Sequence, residues 1–166
     1  MQRSRIPASL LQPSILSGML FLLITSVLHP TELLATQESL SAEEKETLQQ
    51  AKDPEQQLKF WLGIAEGRLK DVIVHTKKLD KADSVKAVSG YRTAVTSAED
   101  CVAKEQGGKN YKKLLIQLHK AVKKYNFALL QALDKAAEEF RQYIQQAFEA
   151  SQRVQDAAEI QMARFR

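Results

Sequence analysis

The chain has 166 residues, 44% of them apolar and 27% charged, with six glycines and four prolines. That composition has room for one domain with one core and favours helices. The single cysteine, Cys101, excludes an internal disulfide, leaving a thiol that is either buried and inert or open to a second chain. The net charge of +4 is nearly neutral, which makes its distribution the informative quantity.

Arg3 and Arg5 precede an apolar run from Ile15 to Leu28, His29-Pro30 breaks it, and Leu33-Leu34-Ala35 ends on a small residue. This is the plan of a secretory signal over residues 1–35. The run has 14 residues, short of the roughly 20 that a membrane span needs. The predicted location is therefore exported, periplasmic or extracellular. The alternative is an inner-membrane anchor at residues 15–28. No Cys lies near the end of the run for lipid modification, and Ser4 separates the two arginines, against a twin-arginine signal.

Residues 36–52 read as a polar stretch followed by a peripheral helix. Ser41-Ala42-Glu43-Glu44 has the pattern of a capping box. Residues 53–166 read as a helical bundle. Asp53 can cap a helix and Pro54 fits its first position, where a missing amide hydrogen costs nothing. Leu58, Trp61, Ala65, Leu69, Val72, Thr76 and Leu79 then recur in steps of four and three, predicting a core-facing helix over 54–79. Gly63 and Gly67 lie four apart on it, where close packing of a neighbour is expected. Asp83 or Ser84 can cap a weaker helix over 84–106, with the seam Val85, Val88, Tyr91 or Arg92, Val95, Ala98 and Val102. Gly107-Gly108 ends it.

From Lys109 onward there is no Gly and no Pro. The seam Tyr111, Leu115, Leu118, Val122, Tyr125, Leu129 and Ala132 shifts by one residue after Ala136. It resumes as Phe140, Ile144, Ala147, Val154, Ala158, Met162 and Phe165, a stutter at which a bend or a change of partner is expected. We read 109–165 as one helix, about 85 Å long at 1.5 Å per residue. The predicted fold is all-α, an antiparallel three- or four-helix bundle with a very long C-terminal helix. About half of that helix would outrun the preceding hairpin, so that Phe140, Ile144, Phe148, Val154, Met162 and Phe165 must meet the Ser41 helix, fold back as a fourth bundle helix, or form the candidate surface for a protein partner or a second copy, the last being the preferred reading.

Charge is uneven. Residues 68–124 hold 14 basic and 6 acidic groups, between weakly acidic flanks. Lys109, Lys113, Lys120 and Lys124, with Lys112 and Lys123 beside them, form a stripe suited to an anionic membrane or wall polymer. Nucleic acid is set aside for an exported chain without exposed stacking aromatics.

No phosphate loop, nucleophile elbow, haem motif or His-Glu-x-x-His pair is present. His75 and His119 are expected about 16 Å apart along the helix axes. The pairs Glu43-Glu44 and Glu138-Glu139 are sequence neighbours, pointing about 100° apart on a helix. No metal or cofactor is predicted and no enzyme activity.

The helix Asp53-Pro54-Glu55-Gln56-Gln57-Leu58, continuing through Phe60-Trp61-Leu62, Ala65 and Arg68-Leu69, resembles a group of uncharacterised exported helical proteins of soil bacteria. Gln57 stands where that pattern has a basic residue. Leu40-Ser41-Ala42-Glu43-Glu44 is faintly similar to periplasmic stress-response chaperones of the Spy and CpxP type, with Glu in the Gln place and no second copy. The resemblance implies a helical exported protein and brings no activity. The expected function is that of a non-enzymatic envelope protein acting by protein interaction or self-association. Attachment to an anionic surface and a chaperone-like role are the alternatives.

Overall fold

In the computed structural model, which describes residues 40–165, the polypeptide forms α1 Ala42–Gln50, α2 Pro54–Lys77, α3 Lys81–Ala103, α4 Tyr111–Leu133 and α5 Glu138–Ala163. No strand occurs among the described residues. The predicted signal over 1–35 lies outside them.

The capping chemistry read from the sequence sets the first two helices. Ser41 Oγ accepts from the Glu44 amide at 3.2 Å, and Glu44 Oε2 accepts from the Ser41 amide at 2.7 Å. Helix α1 buries none of its own residues. It is held by Leu40, which is buried, and by Arg68, whose guanidinium reaches Glu44 at 3.3 Å. Asp53 accepts from the Gln56 amide at 2.9 Å to open α2, whose buried residues are Leu58, Trp61, Ala65, Leu69, Val72 and Thr76.

Helix α2 stops at Lys77 without a glycine. Leu79 takes the left-handed conformation instead, with φ 59°. The Asp80 amide donates to His75 O at 3.1 Å and the Leu79 amide to Thr76 O at 3.4 Å, the paired bonds of a Schellman terminus. Asp80 then accepts from the Asp83 amide at 3.0 Å, so α3 begins at Lys81, three residues before the predicted start. The shift moves the seam: Ser84 is buried and Val85 is 54% exposed, correcting the place given to Val85. Gly107, with φ 87°, closes the other end, although α3 itself stops at Ala103 rather than 106.

The single helix over 109–165 is not formed. Helix α4 ends at Leu133, Ala137 is extended, and α5 starts at Glu138. The reason lies beyond the break. Phe140 and Ile144 are 1% exposed and Val154 is fully buried, because α5 folds back along α4 and α3. The stutter after Ala136 marks the place where the chain reverses.

Helix α2 packs along α3, and α4 along α5; the two hairpins meet through α3 with α5 and α2 with α4. The ion pairs Lys113–Glu55 and Lys124–Glu66 each join residues 58 apart. A constant offset over eleven residues means that α2 and α4 run side by side in the same direction. Arg153 of α5 reaches Glu99 of α3 at 2.9 Å in the same way.

Polar groups inside this packing are mostly paired. Tyr125 donates to Leu62 O at 2.8 Å. Asn126 Nδ2 donates to Gln155 at 2.8 Å and Gln152 at 3.2 Å, and Ser151 gives its proton to Asn126 Oδ1. The exception is the Tyr91 hydroxyl, which is buried without a partner in hydrogen-bonding geometry. Burial raises the Tyr91 phenol above the ordinary range, against a weaker pull from Ser151. Burial likewise pushes Tyr125 up to about 12.

Three substitutions test these local features. Leu79→Gly removes a left-handed leucine that is 54% exposed, and it should raise the unfolding free energy by about 1 kcal/mol in urea denaturation. Tyr125→Phe breaks a buried hydrogen bond and should cost about 1 kcal/mol. Tyr91→Phe removes a hydroxyl that has no partner, and the same urea titration should show no loss, or a gain.

Candidate functional site

One side of α4 builds the core with Tyr111, Leu114, Leu115, Leu118, Val122, Tyr125, Leu129 and Ala132. At 100° per residue the opposite side presents Lys112, Lys113, Lys120, Lys123 and Lys124, all exposed, with Ile116 half-buried among them. Phe127 and Leu130 continue this face and are 64% and 45% exposed. They were not singled out in the sequence. Their signal was an i, i+4, i+7 spacing from Lys123 that places two apolar residues on the lysine side.

The lysines are of two kinds. Lys113 reaches Glu55 at 2.5 Å and Lys124 reaches Glu66 at 3.1 Å, across to α2. From α2 itself, Lys59 shares Glu55 at 3.0 Å and Lys70 shares Glu66 at 3.9 Å. Each carboxylate on this seam thus serves two ammonium groups. Lys120 and Lys123 have no carboxylate within ion-pair distance among the described residues. Lys112 lies 5.8 Å from the centre of the Phe165 ring, and Lys109 is exposed in the turn before α4. The hydrogen bond from Lys113, then that from Lys59, holds Glu55 down at about 2.

The predicted docking edge on residues 140–165 is not available as drawn. Phe140, Ile144 and Val154 are core residues, and Phe148 and Met162 are half-buried against the core. Phe165 is 42% exposed but lies 5.7 Å from the Tyr111 ring. Their apolar spacing reflected the inside of the molecule. Gly63 and Gly67 also differ from expectation: both are exposed, and a Cβ on either would meet nothing within 4 Å. Nothing in the structure explains them. Gly90 does have a packing role, because a Cβ there would come 3.3 Å from Arg68 Cδ, whose stem crosses α3 at that point.

The groups capable of chemistry are committed to separate contacts. His75 sits 3.6 Å from Asp83, and His119 sits 3.0 Å from Glu159. The His119 bond, with one from Gln155, lowers Glu159. Cys101 is buried with Sγ 3.5 Å from Pro54 O, and burial raises its thiol, which favours the inert reading of the two left open. No group of three His, Cys, Asp or Glu side chains able to hold a metal occurs among the described residues. An open groove of about 840 Å³ runs past Leu40, Arg68, Asp71, His75 and Lys86. Its Arg68 and His75 are already paired, with Glu44, Asp71 and Asp83.

The Glu55 pairing gives a pH prediction. Its folded pKa lies below the unfolded value near 4.5, so the pair contributes fully above that value and is lost as pH falls toward about 2. A carbon-detected NMR titration should find the Glu55 midpoint near 2, and Lys113→Gln should move it up toward 4.5. Compared with protein-family models, with characterised proteins and with solved structures, the chain matches none.

Proposed function

We propose that the protein is a non-catalytic binding module in which α2 to α5 form an antiparallel four-helix bundle that holds the outward face of α4 against an anionic surface. The observation that carries this reading is the alignment of Lys112, Lys113, Lys120, Lys123 and Lys124 on one exposed side of one helix. It is reinforced across the seam by Lys59 and Lys70, with only Glu55 and Glu66 between them. A one-signed patch on a rigid element concentrates polyanions at its surface. Each lysine near such a surface contributes about 1 kcal/mol.

Two further features support a binding role. The histidines and the cysteine are engaged in pairwise structural contacts rather than gathered in one place. No helix among the described residues is long and apolar enough to cross a membrane, so attachment through this face would be peripheral. With residues 1–35 acting as an export signal, the available polyanions would be those of the cell envelope, phosphate-bearing lipids and wall polymers.

The test is equilibrium binding of the protein to polyphosphate and to phosphatidylglycerol vesicles across a salt series. Binding to at least one probe is expected, weakening steeply as salt rises. The double substitution Lys120→Gln and Lys123→Gln should weaken it tenfold or more with little change in the thermal midpoint, since neither lysine has an ion-pair partner among the described residues. Binding to neither probe at low salt, or binding indifferent to salt and to these substitutions, overturns the proposal.

A further inference from the structure

Resting on that reading, we infer that the anionic surface is a lipid bilayer, and that Phe127 and Leu130 enter it while the lysines around them hold its phosphates. A soluble or wall-bound polyanion would be met by the lysines alone. The face carries more than lysines.

Phe127 is the most exposed large apolar side chain among the described residues, at 64%, and Leu130, one turn on, is 45% exposed. Both lie on the lysine side of α4, in line with Lys120 and Lys123, and Lys124 borders them. The other large apolar residues of the same helix are buried, save Ile116 and Leu133, which are half-buried. These two are therefore not edges of the core but a separate apolar pair within a basic stripe. That combination is the recognition chemistry of an interfacial helix: apolar side chains reach the boundary between headgroups and acyl chains, and lysine stems lie along them with the ammonium groups turned back to the phosphates.

The geometry suits a helix lying flat. From Lys112 to Leu130 the outward residues follow one line along α4, so all of them can meet a plane at once. Lys120 and Lys123, which have no carboxylate within ion-pair distance among the described residues, stand within two turns on the N-terminal side of the apolar pair. Gln131 follows on the other side, and Asp134 comes only after the helix has ended.

The experiment uses three probes: vesicles of phosphatidylcholine with phosphatidylglycerol, vesicles of phosphatidylcholine alone, and polyphosphate. The unaltered protein should bind the anionic vesicles and leave the neutral ones at least tenfold less occupied. The double substitution Phe127→Ser and Leu130→Ser should weaken binding to anionic vesicles tenfold or more and leave polyphosphate binding unchanged. Circular dichroism should show its helix content intact, because both positions are exposed. Phe127→Trp adds a depth readout: bromine-labelled lipid should quench the new indole on anionic vesicles, whereas Trp61 is buried. Binding to polyphosphate but not to vesicles would overturn the lipid assignment and leave the polyanion reading standing. So would unchanged vesicle affinity in the serine variant, equal loss on both probes, or an unquenched indole on bound vesicles. Binding to no probe would bring down both.

Discussion

The apolar edge of residues 140–165 has to be removed from water, and that requirement shapes the whole molecule. Asp134-Lys135-Ala136-Ala137 contains no residue that stops a helix, and an unbroken rod would keep the backbone hydrogen bonds that the turn gives up. Those few bonds are worth about 1 kcal/mol each, net of water. Burying Phe140, Ile144 and Val154 is worth roughly 1.5–3 kcal/mol for each side chain. The larger sum lies with reversal, and the chain reverses. Local propensity yields to burial, and the third and fourth long helices become a second hairpin beside the first.

The buried side chains of Leu114, Leu118, Val122 and Leu129 set the rotation of α4 about its axis, and two consecutive buried polar residues reinforce it. Tyr125 is bonded to Leu62 on α2, while Asn126, the next residue, is bonded to Gln152, Gln155 and Ser151 on α5. The two bonds pull toward different neighbours. Rotation in either direction would strand a buried donor or acceptor at about 1–3 kcal/mol per group. Since the core side of α4 is clamped in this way, its outer side is fixed too. Lys120, Lys123, Phe127 and Leu130 therefore face outward because the opposite flank of their own helix is both packed and bonded.

The sequence made some of this readable and hid the rest for identifiable reasons. Helix α2 was legible because its cap, Asp53-Pro54, and its seam from Leu58 to Thr76 point to the same answer. The start of α3 was misplaced because the turn uses Leu79 where the left-handed conformation ordinarily signals glycine, which leaves Asp80 unmarked as the cap. The break before α5 left only a shift in phase at Ala136, and a phase shift cannot distinguish a bend from a full reversal. That ambiguity made Phe140, Ile144 and Val154 look like a docking edge. The lysine stripe could be read from its spacing. Phe127 and Leu130 share that spacing from Lys123, but being apolar they pass for core residues until the position of α5 shows which side of α4 its neighbours cover.

The near-neutral total charge does not weaken the case for a basic face. Exposed ion pairs hold their partners by about 0–1 kcal/mol, so Lys113 and Lys124 are not lost to binding by touching Glu55 and Glu66. Each of those carboxylates is shared with a second lysine from α2, so the seam keeps a net positive sign even with every pair formed. Helix α4 itself carries no acidic residue, and the carboxylates nearest its outer face, Glu55, Glu66 and Glu159, stand on the neighbouring helices α2 and α5. An anionic plane approaching α4 would thus meet lysines before it met opposing charge. Among them it would find the one apolar pair on α4 that the fold leaves uncovered.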